Sequence, residues 1–261
     1  LSFFKNTVNV KKRYVGMDPT DLKYLFQWSS HFLSNKNLGA KTLAKLSIYQ
    51  LEILGQMMYH YSLVNVHKKL DGLFNQLVTS VSQKHMKEVY LQLFNVKALQ
   101  WPTHLLLVAA LSKLRLLQDT NITVVISFYS ANVLLNKNHK TISDQLYTLK
   151  YFNQYFASQY LTSKLLEEKL LPDIEKSILR SSEFIITMII PHFFESLLDR
   201  KDDEEYPILL VKGPGLSKLT TQLISNMKSS NDAVRLGALD VLQLILSKVT
   251  PYLTEQNLFK V

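Results

Sequence analysis

The side chains best suited to chemistry in this 261-residue sequence are lysines and arginines in short clusters. Residues 1–150 hold 18 Lys/Arg and 7 Asp/Glu, whereas residues 151–261 hold 12 and 14. Basic clusters attract phosphate backbones or acidic protein tails, because bound ions are released when the surfaces meet. If successive helices stack in parallel, the clusters line up as one basic stripe that can bind successive phosphates. Alternatively, each cluster only keeps its own helix end soluble. The clustered residues are Lys11, Lys12, Arg13, Lys68, Lys69, Lys84, Lys87, Lys113, Arg115, Lys137 and Lys140.

Other residues with catalytic or ligand-binding potential do not form a recognisable site. Residues 212–215 are glycine-rich, but they are too few for a phosphate-binding loop, and their proline removes an N–H donor. His192 and Glu195 lie three residues apart and cannot complete a zinc site alone. The acidic run at 202–205 is typical of a solvated loop, and the chain has no cysteine. We therefore predict no enzymatic activity, no metal, no cofactor and no small-molecule substrate.

Composition and periodicity indicate that helices carry the basic clusters. Glycine and proline number seven each and 47% of the residues are hydrophobic, which disfavours the many turns of an all-β fold. Asp18 can cap a helix that Pro19 begins, and apolar residues then recur at helical spacing along the chain. We predict an all-α fold, with residues 1–261 forming one continuous HEAT- or armadillo-like solenoid. Stacked antiparallel helix pairs of about 40 residues would give about six repeats.

A repeat-like pattern near the end of the chain supports the solenoid. At residues 229–242 a polar turn precedes a Val-Arg pair, a small residue and several leucines. The pattern resembles the second helix of a HEAT repeat, in which the valine enters the core and the arginine bonds to the neighbouring turn. An ordinary amphipathic helix is the alternative. The predicted HEAT-like core consists of Val234, Arg235, Ala238, Leu239 and Leu242.

Residues 169–183, KLLPDIEKSILRSSE, carry a resemblance to a known family. They resemble the N-terminal region of the general-control translational activators of the Gcn-one type, although Ser182 stands where that family usually has proline. Similarity extends over roughly residues 124–249. The matching positions are interpreted as structural, with Pro172 bending a helix. They are Leu171, Pro172, Ile174, Glu175, Lys176, Leu179, Arg180, Ser181 and Glu183.

The resemblance implies a cytoplasmic HEAT-repeat scaffold that associates with translating or collided ribosomes. Its ribosomal contacts would be rRNA, acidic stalk proteins or both, and the basic residues above would face them. The family also implies two partners that act through the full-length chain. One is a starvation-response kinase that phosphorylates initiation factor two alpha, and the other is an ATP-binding-cassette protein. The sequence begins with Leu1 rather than Met, so we expect a piece of a longer chain.

Three further considerations bear on this interpretation. No apolar run reaches the roughly 18 residues of a membrane span, and the lack of cysteine fits a reducing compartment. A karyopherin-like nuclear-transport receptor or another HEAT interaction scaffold is an alternative, although transport receptors usually carry acidic inner surfaces. A helical enzyme is a second alternative, which the missing catalytic site disfavours.

Overall fold

The chain forms two compact units: unit 1 comprises Leu1–Leu117 and Asp144–Phe152, and unit 2 comprises Gln118–Ser143 and Asn153–Val261. A computed structural model describes residues 16–64, 66–93, 99–136, 145–179, 187, 189–198 and 214–252. Numbered in chain order, the α-helices of unit 1 are α1 (Pro19–Leu33), α2 (Ala40–Leu63), α3 (His67–Ser82), α4 (Lys87–Leu93), α5 (Trp101–Lys113) and α7 (Leu146–Phe152). Those of unit 2 are α6 (Asp119–Tyr129), α8 (Leu171–Leu179), α9 (Ile190–Leu198), α10 (Pro214–Asn226) and α11 (Asp232–Val249).

Shorter helical segments also belong to unit 2. Three are π turns, in which the helix widens to i→i+5 hydrogen bonding. The π turns are Ser130–Leu134, Asn153–Ala157 and Leu166–Leu170. The remaining segments are Ser158–Tyr160, Ser163–Leu165 and the 3-10 turn Thr250–Tyr252.

Unit 1 is organised around α2, which packs against α1, α3, α4 and α5. The α5 helix is buried on every side from Pro102 to Ser112, as expected for a helix that is apolar all round. Gly55 of α2 permits the close approach of α5, because a Cβ at this position would lie only 2.7 Å from Thr103 Oγ1. The Tyr147 hydroxyl of α7 donates to the Gly55 carbonyl at 3.1 Å. These contacts join α2, α5 and α7 in one core.

Side chains bond to the backbone at the start of two of the unit 1 helices. Asp18 Oδ1 accepts a hydrogen bond from the Thr20 N–H at 2.7 Å, which confirms the predicted start of α1. Glu52 is buried, and its Oε1 accepts from the backbone N–H of Gln100 at 3.2 Å. Gln100 precedes α5, so this carboxylate lies at the positive end of the α5 dipole. The bond thereby ties α2 to the start of α5.

Unit 2 packs through pairs of helices. The α10 helix contacts α8 and α11, and α11 also contacts α9. Asn231 caps α11, since its Oδ1 accepts from the N–H groups of Ala233 at 2.9 Å and Val234 at 3.3 Å. The Ser177 hydroxyl of α8 lies 2.7 Å from the Leu134 carbonyl, which joins α8 to the π turn Ser130–Leu134. Helix packing and local capping together define this core.

The described residues confirm the predicted helical class, since their regular structure is helical throughout and contains no strand. The single continuous array, the antiparallel pairing and the count of about six repeats stay predictions. Within the described ranges, every helix is too short or too polar to cross a membrane.

Candidate functional site: a basic surface and an adjoining groove in unit 1

The positive charge of the chain is concentrated in unit 1. Unit 1 holds 16 Lys/Arg and 6 Asp/Glu, whereas unit 2 holds 14 and 15. The predicted basic residues that are described all belong to unit 1, and the structure arranges most of them around one helix, α3. Those outside the described residues are Lys11, Lys12, Arg13, Lys137 and Lys140.

Three groups of cations follow α3 along its length. Lys68 and Lys69 lie in its first turn, and Lys84 and Lys87 lie beyond its last residue. Between them, Lys113 Nζ donates to Asn75 Oδ1 at 3.1 Å and lies 5.6 Å from the centre of the Phe74 ring. At about 1.5 Å per residue, roughly 20 Å of helix axis separates Lys69 from Ser82, the last residue of α3, which lies just before Lys84. One strand of a duplex presents a phosphate about every 3.4 Å, so this line spans about six phosphates.

Four of these lysines are available to an incoming anion. Lys68, Lys69, Lys84 and Lys87 are exposed and make no ion pair with the described residues. Two carboxylates lie beside them in sequence, Asp71 and Glu88. The Asp71 carboxylate is already engaged, because its Oδ1 accepts from the Tyr151 hydroxyl at 2.5 Å. We call Lys68, Lys69, Lys84, Lys87 and Lys113 the α3 basic surface.

Sequence reasoning missed one cation that lies at the far end of this surface. A ring nitrogen of His85 lies 2.8 Å from the Leu33 carbonyl, so the end of α1 meets the segment between Lys84 and Lys87. Lys36, three residues beyond Leu33, is exposed at this same end. Its isolated position in the sequence is not a cluster, and only the long-range His85 contact identifies it.

Arg115, another predicted basic residue, has a structural role as well as a charge. It follows α5 with a φ of 54°, the left-handed conformation that commonly ends helices. Its N–H bonds to the Ser112 carbonyl at 2.8 Å, and the Leu116 N–H bonds to the Leu111 carbonyl at 2.9 Å. These two bonds are those of a Schellman motif, so the exposed Arg115 side chain projects from an ordered helix end.

A groove of about 770 Å³ lies beside the basic surface, between α1 and α3. From α3, side chains on one face line it, beginning with Lys69 and ending with Gln83. From α1 come Lys23, Gln27 and Ser30, and the apolar floor includes Leu33, Met57 and Leu73. The α3 lining residues are Lys69, Gly72, Leu73, Asn75, Gln76, Thr79, Ser80 and Gln83.

A buried hydrogen-bond network holds the walls of the groove together. Gln50 of α2 donates from Nε2 to Ser30 Oγ of α1 at 2.7 Å. Its Oε1 accepts from the Tyr90 hydroxyl of α4 at 2.9 Å and from Ser80 Oγ of α3 at 3.3 Å. Burial raises the pKa of Tyr90 to about 12, so the hydroxyl remains a donor at neutral pH. Four helices therefore meet at one satisfied polar cluster beneath the groove.

The family-motif residues occupy α8 and the segment that follows it. Leu171 and Ile174 are buried, whereas Pro172 is exposed and lies two residues after the π turn Leu166–Leu170. Glu175 is half-buried, and the exposed Lys176 pairs with Asp173 at 3.1 Å. Leu179 is the last residue of α8, and Arg180, Ser181 and Glu183 lie outside the described residues.

The predicted HEAT-like core of α11 requires one correction. Val234 and Ala238 are buried, and Arg235 donates to the Ser229 carbonyl at 2.8 Å and pairs with Asp232. Leu239, however, is 43% exposed, and its assignment to the core is wrong. At about 100° per residue, position 239 lies roughly 140° around the helix from Val234. Leu242 lies nearer to the core stripe and is half-buried. The buried stripe is Val234, Gly237, Ala238, Val241, Ile245 and Val249.

The described part of the chain holds no group of three His, Asp or Glu side chains that could bind a metal. The basic surface and the groove can bind partners by charge and hydrogen bonding.

Comparison with protein-family models matches the chain to the family described as stalled ribosome sensor GCN1 N-terminal. The matched residues are 122–253, which is 132 of 261 residues and so just over half of the chain. The match covers nearly all of unit 2 and, within unit 1, only residues 144–152. No curated protein and no solved structure matched.

Proposed function

Since the chain belongs to the stalled ribosome sensor GCN1 N-terminal family, we propose that it is a non-catalytic, ribosome-binding scaffold that helps to sense stalled ribosomes. The family match carries this proposal. The resemblance to the general-control translational activators, on the motif in α8, is thereby confirmed. A cytoplasmic location follows from the proposed association with ribosomes.

The ribosomal contact is assigned to the α3 basic surface. Lysines that already have ion-pair partners gain little from binding phosphate, whereas Lys68, Lys84 and Lys87 are exposed and make no ion pair with the described residues. Each such lysine that contacts a phosphate releases a condensed ion, and this release favours binding most at low salt. Lys69 and Lys113 add to the same line of charge. An acidic stalk protein would use the same surface, by charge complementarity.

Further partners of the proposed scaffold act through the full-length chain. We assign two such partners to the full-length chain. It activates the starvation-response kinase that phosphorylates initiation factor two alpha, and it binds an ATP-binding-cassette protein. No described residue is assigned to either contact. The solenoid prediction supports this division, because each repeat of such an array contacts mainly its neighbours and leaves long surfaces for different partners.

The test is ribosome co-sedimentation of the chain at several salt concentrations. Reversal of Lys68, Lys84 and Lys87 to Glu should weaken binding at low salt and flatten its salt dependence by about two to three units of slope. Reversal of Lys212, Lys218 and Lys228 in unit 2 is the matched control, with the same change in charge. Lys68, Lys84 and Lys87 are exposed, and solvated lysines contribute little to stability, so the unit 1 variant should remain folded. Thermal melting checks that both variants are folded.

The outcomes separate the possible ribosomal partners. Nuclease treatment abolishes binding to rRNA but leaves a direct contact with an acidic stalk protein intact. If the unit 1 reversal and the unit 2 control weaken co-sedimentation equally, the α3 basic surface is not the ribosomal contact. If the wild-type chain does not co-sediment at low salt, the ribosome-binding function itself is wrong for these residues.

A further inference from the structure

The groove between α1 and α3 shares Lys69 with the α3 basic surface but differs from that surface in its other side chains. Its two lysines are Lys23 and Lys69, and no Asp or Glu is among the described residues that line it. Beyond Lys69, the α3 wall carries amide and hydroxyl side chains together with Leu73, and has an open position at Gly72. The groove therefore combines an apolar floor with uncharged polar side chains along α3 and a cation in each wall.

Contacts at the helix ends place both lysines at the same end of the groove. Lys69 Nζ lies 4.8 Å from the centre of the Tyr61 ring, near the end of α2. Leu33, at the end of α1, meets His85 just beyond the end of α3. Lys23 lies ten residues before Leu33 in α1 and lines the same groove, so it lies toward the start of α3, which holds Lys69. Gln83 lies at the opposite end, near the His85 contact with Leu33.

We infer that this groove binds an extended acidic peptide segment of a protein partner, with its carboxylates at the Lys23 and Lys69 end. Amide side chains both donate and accept hydrogen bonds, and so suit the alternating N–H and C=O groups of an extended backbone. From Lys69 to its last residue, Ser82, α3 rises roughly 20 Å, at about 1.5 Å per residue. An extended chain at about 3.3 Å per residue would place about six residues along this wall.

Charge distribution favours a peptide over RNA in this groove. A nucleic acid strand carries a negative charge on every nucleotide and needs cations along its whole path. The α3 wall from Gly72 to Gln83 supplies none, and the α1 wall beyond Lys23 supplies none among its described lining residues. A peptide with acidic residues at one end and neutral residues elsewhere matches both walls.

The groove is also built to keep its shape. The network of Gln50, Ser30, Ser80 and Tyr90 joins α1, α2, α3 and α4 beneath it, and every member has a hydrogen-bond partner. Preorganised walls lower the ordering cost of binding, which is otherwise the main penalty for a flexible peptide. Gly72 keeps the mouth open, because nothing lies within 4 Å of the position that a Cβ would take.

The test measures fluorescence anisotropy of labelled octapeptides with the full 261-residue chain. Two probes alternate leucine and serine and carry two aspartates, at the amino end in one and at the carboxyl end in the other. A third carries lysines in place of aspartates, and a fourth probe is labelled octauridylate. We expect saturable binding of at least one aspartate peptide, and no binding of the lysine peptide or of octauridylate at the same concentration.

Neighbouring substitutions on α3 supply matched variants. Lys69→Glu should weaken binding of the aspartate peptide about tenfold or more, the loss expected for a charge-assisted contact. Lys68→Glu, one residue away and not part of the groove lining, should leave affinity within about twofold. Gly72→Leu should block the groove while preserving thermal stability, since leucine is the better helix former and the site is open.

Three results would overturn the inference. The first is that neither aspartate peptide binds. The second is that Lys68→Glu and Lys69→Glu weaken peptide binding equally, which would indicate general charge attraction. The third is that octauridylate binds and Gly72→Leu abolishes that binding, which would make the groove an RNA site. None depends on ribosome co-sedimentation, so the groove and the ribosomal contact can fail separately.

Discussion

Units 1 and 2 are both built from helices, but unit 2 carries most of the family match and unit 1 carries the excess of positive charge. Unit 2 carries nearly all of the family match, and Leu171, Ile174, Val234 and Ala238 of its matched region are buried. Unit 1 lies almost wholly outside the match, yet it holds the excess of positive charge, the α3 basic surface and the groove. The family match therefore falls mainly on the unit without the proposed binding residues, and those residues become visible only when the fold brings them together.

The largest expected effect tests the packing side of this comparison in unit 2. Val234→Asp should lower the free energy of unfolding by about 3–5 kcal/mol, because Val234 is 2% exposed and the new charge would be buried without a partner. Leu239→Asp on the same helix should cost no more than about 1 kcal/mol, since Leu239 is 43% exposed. Urea denaturation of both variants measures the difference. Equal losses would show that α11 buries a different face.

A smaller effect tests whether unit 1 is packed as closely as unit 2. Alanine normally stabilises a helix by about 1 kcal/mol relative to glycine. At Gly55 the added Cβ would meet Thr103 Oγ1 at 2.7 Å, so Gly55→Ala should instead destabilise by about 1–3 kcal/mol. Gly72→Ala, where nothing lies within 4 Å, should stabilise by about 0.5–1 kcal/mol. Thermal melting of the pair checks the prediction, and a higher melting temperature for Gly55→Ala would contradict the close approach of α2 and α5.

Local sequence signals predicted the helices and their starts but not all of their internal geometry. Helical spacing of apolar residues and the Asp18–Pro19 start correctly predicted the all-helical class and the first residue of α1. Spacing alone did not reveal the π turns, because widening by one residue changes hydrogen bonding without changing residue type. It also misplaced Leu239, since leucines were counted as core without following the helical angle from Val234.

The candidate sites could be predicted only in part, for a related reason. Clusters such as Lys68 with Lys69 are visible in sequence because their members are adjacent. Lys36 and Lys23 join their sites through contacts between residues far apart in the chain, such as His85 with Leu33. The polar face of α3 is also spaced at helical intervals, but it resembles any solvated helix face until α1 lies opposite it.

The smallest expected effect compares two helix caps that share one geometry and differ in charge. Asp18 caps α1 in unit 1, and Asn231 caps α11 in unit 2, each through a side-chain oxygen that accepts backbone N–H groups. Hydrogen bonds from Thr20 are the main cause that lowers the pKa of Asp18 from 3.8, and the charge of His60 adds to the shift. A lowered pKa in the folded state means that the cap stabilises α1 above pH 3.8 and loses this contribution as pH falls through the lowered value.

Amide hydrogen exchange, followed by NMR, measures how pH affects the Asp18 cap in unit 1 and the Asn231 cap in unit 2. Protection of the Thr20 amide should fall as the pH drops below 3.8 and through the lowered pKa of Asp18. Protection of the Val234 amide should persist until global acid unfolding, because asparagine does not titrate. Asp18→Asn should retain a cap and remove the pH dependence at Thr20, since an amide oxygen accepts the same bond without ionising. Loss of Thr20 protection at the same pH in this variant would mean that another group controls the start of α1. The acid response of unit 1 would then arise from some group other than Asp18.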